Sequence, residues 1–198
     1  MFAGMDTRTM ILDHNVAVVH RHGFQGLRAD RTVLELGITK GALYHHFVGK
    51  TALGLAIIDE RVGPAARRPW QQMVANNGYV LSILRGYLDG IVASSTPESI
   101  AVGSMLGNLL AEMAPLDESF RVKLAAIVDE CDEMATTMLL RAREEGEIRA
   151  DADVDALGTW LVSSIEGVQL LAKAHQSREH LQRGFSGIML CLDGLRPS

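Results

Sequence analysis

The sequence predicts an all-α chain of about nine helices, with a small N-terminal three-helix unit joined to a longer helical remainder. Three observations carry that prediction. Apolar residues recur three and four apart along much of the 198 residues, as in Leu81, Leu84, Leu88 and Ile91 or Phe120, Leu124, Ile127 and Cys131. Stop and start signals separate these stretches at Gly23, Gly37, Asn76-Asn77-Gly78, Ser95-Thr96-Pro97-Glu98, Pro115-Leu116-Asp117 and Glu145-Gly146. Apolar residues make up 47% of the chain, which excludes disorder and is enough to bury a core.

Thr7 to His22 reads as the first helix, with Ile11, Leu12, Val16 and Val19 at helical spacing and Gly23 as the residue that ends it. Leu27 to Leu36 is the second. Arg28 stands at its start and cannot accept a hydrogen bond from the helix N-terminus, so a cap contribution of about 1 kcal/mol is expected to be missing. Thr32 is expected in the core with its hydroxyl bonded to the preceding turn. Gly37 then supplies a tight turn and Thr39 an N-cap. Lys40 to Phe47 forms a two-turn helix with Leu43 and Phe47 inward, leaving Lys40, Gly41, Tyr44 and His45 on the opposite face. Gly41 and Ala42 remove side-chain bulk there, so another surface can approach the backbone. Hydroxyl, amide, Lys and His groups at one place are phosphate ligands, and a short helix bare at its start suits a major groove.

Gly37-Ile38-Thr39-Lys40-Gly41-Ala42-Leu43-Tyr44-His45-His46-Phe47, followed by Gly49-Lys50, resembles the second half of the helix-turn-helix of TetR-family transcriptional regulators. The resemblance is close over about residues 23–58. It implies a helix-turn-helix DNA-binding domain over residues 1–50, with the motif at 28–47, and a helical ligand-binding and dimerisation domain over 51–198, entered through a connecting helix at 51–75. By this resemblance Thr39, Gly41 and Ala42 face bases or their immediate backbone, while Lys40, Tyr44, His45 and Lys50 hold phosphates. Arg28 either reaches a phosphate or guanine edge or stays solvated. His46 is either a phosphate ligand or part of the hinge. His14, Asn15 and Val19 depart from the family's usual residues in the first helix, which is expected to loosen the small core of the head, and Arg28 and Thr32-Val33 depart from them in the second.

In the remainder, Lys50 or Thr51 opens a helix through Leu53, Leu55, Ile57, Ile58 and Val62. Pro64 is expected to kink or end it. Arg67, Arg68, Pro69 and Trp70 read as a solvated Arg pair beside a core Trp. Asn76-Asn77-Gly78 is a turn and the expected domain boundary in packing terms. A helix over Tyr79 to Ser94 follows, and then one from Pro97 to Ala114, opened by a Thr96 cap and Pro97 at its first position. Gly103, Ser104, Gly107 and Asn108 are small or polar within that helix, consistent with close packing or with a cavity lined on one side. In one branch of the family a cysteine often stands where Ser104 is, and a serine does not support covalent sensing. Asp117 is expected to cap a long helix to about Glu145, with Cys131 a buried packing thiol. Two last helices, about Val154 to His175 and Ser177 to Leu195, are apolar on more than one face, and Gly184 and Gly187 permit close approach. The resemblance makes their second partner the same pair in another subunit. That places Leu157, Leu161, Ile165, Val168, Leu181, Phe185, Ile188 and Leu192 at a dimer interface.

Charge supports a DNA-reading end. The net charge is −5, but residues 1–51 hold six Lys/Arg against four Asp/Glu, and the rest hold thirteen against twenty. Five of the seven histidines also fall in the first part. Adjacent His45 and His46 diverge by about 100° on a helix and no carboxylate or cysteine completes a shell, so no metal is expected. No cofactor is expected either, and no nucleophile–base pair stands at catalytic spacing, so an enzyme is not the expected class. No apolar run reaches the roughly 18–20 residues of a membrane span. The first six residues lack a signal-peptide pattern, and two cysteines sixty apart suggest a reduced, cytoplasmic setting. The expected function is a ligand-responsive regulator of transcription, a repressor released from a palindromic operator by a small apolar or amphipathic effector. The alternative is a small-molecule-binding protein of the same fold with weakened DNA recognition. Periodicity alone suggests effector contacts at Met105, Asn108, Leu109 and Met113, and at Trp160, Ser164, Glu166 and Gln169.

Overall fold

The computed structural model describes residues 6–197, and the signal-peptide expectation for the first residues falls largely outside them. Among the described residues there is no strand. The helices are α1 (Thr7–His22), α2 (Ala29–Leu36), α3 (Lys40–His46), α4 (Gly49–Ile57), a π-helical turn (Ile58–Val62), α5 (Gly63–Val74), α6 (Val80–Ser94), α7 (Pro97–Val102), α8 (Met105–Met113), α9 (Glu118–Glu144), α10 (Val154–His175) and α11 (Arg178–Asp193). Residues 49–74 run without a break, and α7 and α8 stand where one helix was expected. Counted so among the described residues, nine helical segments result, in the all-α class read from the sequence.

Packing divides the chain into two compact units, one of residues 1–64 and 108–125, the other of 65–107 and 126–198. This differs from a boundary at residue 50 or at the Asn76-Asn77-Gly78 turn. Residues 51–64 and a distant segment, 108–125, pack with the three N-terminal helices.

In the first unit α1 buries Ile11, Leu12, Asn15 and Val19. Asn15 takes the inward place expected of Val16. Its amide donates to Ile11 O at 2.8 Å, and its Oδ1 accepts from the Thr32 hydroxyl at 2.8 Å. Two departures from the family pattern are therefore each other's partners, joining α1 to α2. The Arg28 O atom of the preceding turn, at 3.2 Å, is the second and longer neighbour of that hydroxyl. Gly54 on α4 has no alternative: a Cβ there would stand 2.3 Å from Phe24 Cε2 and 2.6 Å from Phe120 Cζ. The two rings meet at 4.7 Å between centroids. Ion pairs Arg8–Glu60, Arg61–Asp13 (2.7 Å) and Lys123–Asp59 (2.8 Å) tie α1 and α9 to the π turn.

Pro64 neither ends nor breaks the helix. Immediately before it the backbone widens into the π turn, where the Gly63 N–H reaches back to Ile58 O. A π turn admits an extra residue, and such bulges accommodate local disruption of the hydrogen-bond ladder.

In the second unit the Glu147 carboxylate, 8% exposed, accepts from Val80 N at 2.6 Å and Leu81 N at 2.9 Å and so caps α6. Arg141 holds the turn before α6 through Asn76 O at 2.7 Å. Arg67 pairs with Glu130 beside a buried Trp70. Thr96 and Ser99 form a reciprocal capping box with Pro97 at the start of α7. The single helix expected from Pro97 to Ala114 is instead broken: Gly103 takes φ +67° and Ser104 Oγ accepts from Gly107 N at 3.1 Å, capping α8 afresh. α10 and α11 pack on one another, and α11 also packs on α6. Gly184 permits this, since a Cβ there would lie 2.6 Å from Val168 Cγ1. The residues expected at a dimer interface are placed by this packing. Leu161, Ile165, Leu181, Phe185, Ile188 and Leu192 are all at or below 4% exposure within one chain. They form its own core; of the eight, only Leu157 and Val168 keep surface.

Candidate nucleic-acid interface

The turn between α2 and α3 is built as the residues predict. Gly37 sits in the left-handed region at φ +64° and donates back into α2. The Thr39 side chain accepts from Ala42 N at 3.1 Å and caps α3. Leu43 and Phe47 are buried at 2% and 4%, which fixes the roll of α3. That roll leaves Thr39, Lys40, Gly41, Tyr44 and His45 exposed, with Ala42 and His46 partly so. Tyr44 keeps half its surface in water. Gly41 has ordinary φ, and a Cβ there would meet only Thr39 Oγ1, at 3.7 Å. Nothing inside the protein requires a glycine at that place. A bare backbone beside a Lys, a phenol and an imidazole is an open surface that a duplex can approach closely.

Arg28 is exposed, offers no cap to α2, and lies 3.5 Å from Asp30 Oδ1. Lys50 is placed differently from the α3 residues. Its ammonium donates to Gln25 O at 3.0 Å and lies 4.8 Å from the centre of the Phe24 ring. Burial lowers its pKa, with the Glu112 carboxylate opposing and Arg28 assisting. The expected contacts therefore fall into an exposed set on α3, the exposed Arg28 before α2, and one partly buried lysine of α4 whose ammonium rests against the turn between α1 and α2. His45 and His46 meet edge to face at 5.2 Å, and no group of three metal-ligating side chains occurs among the described residues.

The suggested effector residues divide between the units. Asn108, Leu109 and Met113 belong to the first, where Leu109 and Met113 are core and the Met113 sulfur accepts from Gln25 Nε2 at 3.8 Å. Met105, Trp160, Ser164, Glu166 and Gln169 belong to the second. Glu166 is the chemically pointed one. Its Oε2 is shut from solvent without an aligned donor, and a Cβ on Gly107 would stand 2.6 Å from it. Burial pushes its carboxyl pKa up; the nearby Ser104 hydroxyl and Gly107 N–H oppose this. Burial is the largest of the three influences, and the net shift is upward. Tyr87, not singled out in the sequence, and Cys131, expected as a buried thiol, share this environment. Burial first, then the Glu166 charge, pushes the Tyr87 hydroxyl up to about 12, and burial pushes the Cys131 thiol up to about 11. Ser104, Gly107 and Glu166 were each legible in the sequence as candidates for a cavity lining, whereas Tyr87 was not. A separate surface cleft of about 500 Å³ near Tyr79, Glu145 and Arg196 contains none of the suggested residues.

An exposed, capped second helix on a buried three-helix head defines a helix-turn-helix DNA-binding protein. The family model for bacterial regulatory proteins of the tetR family matches residues 11–57, and that for the tetracyclin repressor-like C-terminal domain matches 81–188. The chain belongs to the TetR family of DNA-binding transcriptional regulators. It is 23% identical to the HTH-type transcriptional repressor DhaR of Mycobacterium sp. (strain GP1) over 89% of this chain and 87% of that protein. It is 28% identical to the repressor AcnR of Corynebacterium glutamicum over 82% and 79%. Among solved structures, a TetR-family regulator from Cytophaga hutchinsonii superposes with a TM-score of 0.85 at 21% identity, covering 97% of this chain and 96% of the other. Reduced NemR of E. coli gives 0.81 at 19% identity, covering 98% of each. No helix among the described residues is long and apolar enough to cross a membrane.

Proposed function

We propose that this chain is a cytoplasmic, homodimeric repressor that binds a palindromic operator in double-stranded DNA and leaves it when a small amphipathic effector binds. The observation that carries the DNA part is the exposed face of α3, above all a glycine that the fold does not need. The names of the relatives DhaR and AcnR support repression. The pairing of Asn15 with Thr32 argues against the weakened-recognition alternative, because the unusual residues complete the head's core.

Two α3 helices reading successive major grooves must stand about 34–36 Å apart, which needs a second copy. The apolar surface left for it lies on α10 at Leu170 and Leu171 and on α11 at Leu190, 74% exposed, with Cys191 beside it. The effector reading rests on Glu166: its Oε2, shut from solvent with no well-aligned donor, favours a ligand that brings a cationic or hydroxyl donor. Such a ligand represses binding only by the difference in its affinity for the two conformations.

Footprinting on the region upstream of the chain's own gene tests this reading, with sedimentation of the same sample. A protected two-fold site, lost when Tyr44 becomes Ala, and a dimer mass are expected. A monomer that protects nothing defeats the proposal.

A further inference from the structure

We infer that Glu112 is a positioning residue for DNA reading: its carboxylate clamps the turn between α1 and α2 and, through that turn, fixes the Lys50 ammonium beside α3. This rests on the reading of α3 and Lys50 as the DNA face.

The carboxylate divides its two oxygens between successive backbone amides. Phe24 N donates to Oε2 and Gln25 N to Oε1, each at 2.8 Å. These amides follow the end of α1 and lie outside any helix, so no backbone ladder satisfies them. Consecutive N–H groups converging on one point form an anion-binding nest, and here a side chain 87 and 88 residues away fills it.

The residue before the nest makes room. Gly23 has φ +73°, and a Cβ there would stand 2.7 and 2.9 Å from the two carboxylate oxygens. The close approach therefore needs a glycine at 23 for two separate reasons, backbone and space.

The peptide that Glu112 holds by its N–H is held at its other end by Lys50. The Lys50 ammonium donates to Gln25 O, rests on the Phe24 ring, and experiences the Glu112 charge. Lys50 lies in the first turn of α4, directly after α3. One acidic side chain thus orients a turn, the turn orients a lysine, and that lysine opens the helix that follows α3. The packing agrees, since residues 108–125 group with residues 1–64, Phe120 packs tilted against Phe24, and Lys123 pairs with Asp59. The DNA-reading unit accordingly includes α8 residues that lie far outside the helix-turn-helix in sequence.

The test measures affinity for a duplex spanning the region upstream of the chain's own gene, across a salt series, for wild type, Glu112→Ala, Glu112→Gln, Lys50→Ala, the Glu112→Ala/Lys50→Ala double variant and Tyr44→Ala. A Glu112→Ala loss of about tenfold is expected, with a flatter salt dependence, since one phosphate contact per protomer is misplaced. The double variant should bind no worse than Lys50→Ala alone, because both changes remove the same contact. Glu112→Gln keeps the shape and one acceptor oxygen, so it should fall between wild type and Glu112→Ala and guards against an Ala variant that misfolds. Full affinity in both Glu112 variants, or losses that multiply in the double variant, overturns the inference. Failure of the underlying DNA face looks different: Tyr44→Ala would then bind as wild type, and the inference would fall with it.

Discussion

Gly41 sits in ordinary helical backbone with open space where its side chain would be. Alanine is the better helix former by about 1 kcal/mol, so Gly41→Ala should leave the thermal midpoint unchanged or raise it slightly. The same substitution is expected to weaken DNA binding at least about tenfold, because a methyl group would stand between the helix and the groove. Anisotropy titration beside a thermal melt separates the two effects. A variant that binds as wild type would show that the bare backbone serves no close approach. The Asn15–Thr32 pair makes a second residue-level test. Thr32→Val leaves the buried Asn15 acceptor without its hydroxyl donor and should cost about 1–3 kcal/mol by urea denaturation. Adding Asn15→Leu should cost less than the sum of the single changes, since neither partner is then left unsatisfied. The Arg28 start of α2, missing its cap, was legible from side-chain chemistry alone. The Asn15 contact was not, because no local pattern reveals a partner seventeen residues away.

Helix interiors were legible and helix breaks were not. Leu43 and Phe47, the Thr96–Pro97 start and the Asp117 cap all follow from local chemistry, and the Asp117 carboxylate does accept from Ser119 N at 2.9 Å. Pro64 misled because the cost of a proline depends on whether the backbone can widen before it, which residue type does not state. The break at Gly103 was hidden by an apolar pattern that continues on both sides of it. Apolar periodicity also shows that a face is buried without saying by what. Leu161, Ile165 and their α11 neighbours, whose periodicity alone reads equally as core or as interface, are buried within one chain. At this scale Gly54 is the point to strike. A methyl group there would overlap both Phe24 and Phe120, so Gly54→Ala should destabilise by roughly 1–3 kcal/mol despite its better helix propensity. Equal or greater stability by denaturation would contradict the ring packing described for α4.

Across the whole molecule, the N-terminal reading head was legible from one stretch of eleven residues, whereas its partner segment, residues 108–125, was not, because contacts across some ninety residues leave no sequence period. In the second unit, where the effector is proposed to bind, Glu166 carries a pH signature. Its folded pKa is raised by burial, so the unfolded chain releases the proton first as pH rises. The carboxyl thus costs nothing below the ordinary carboxylate range, and its destabilisation grows until pH passes the raised folded value. Glu166→Gln should accordingly match wild type near pH 4 and melt higher by neutral pH; a constant difference across that range would contradict burial as the cause.

The central claim is that the exposed face of α3 carries duplex DNA, and the salt dependence of operator affinity tests it most directly. Wild type should lose affinity steeply and linearly on a log–log plot, and Lys40→Ala should flatten the slope by about one for each protomer bound. An unchanged slope in Lys40→Ala, with Tyr44→Ala also binding as tightly as wild type, would contradict it.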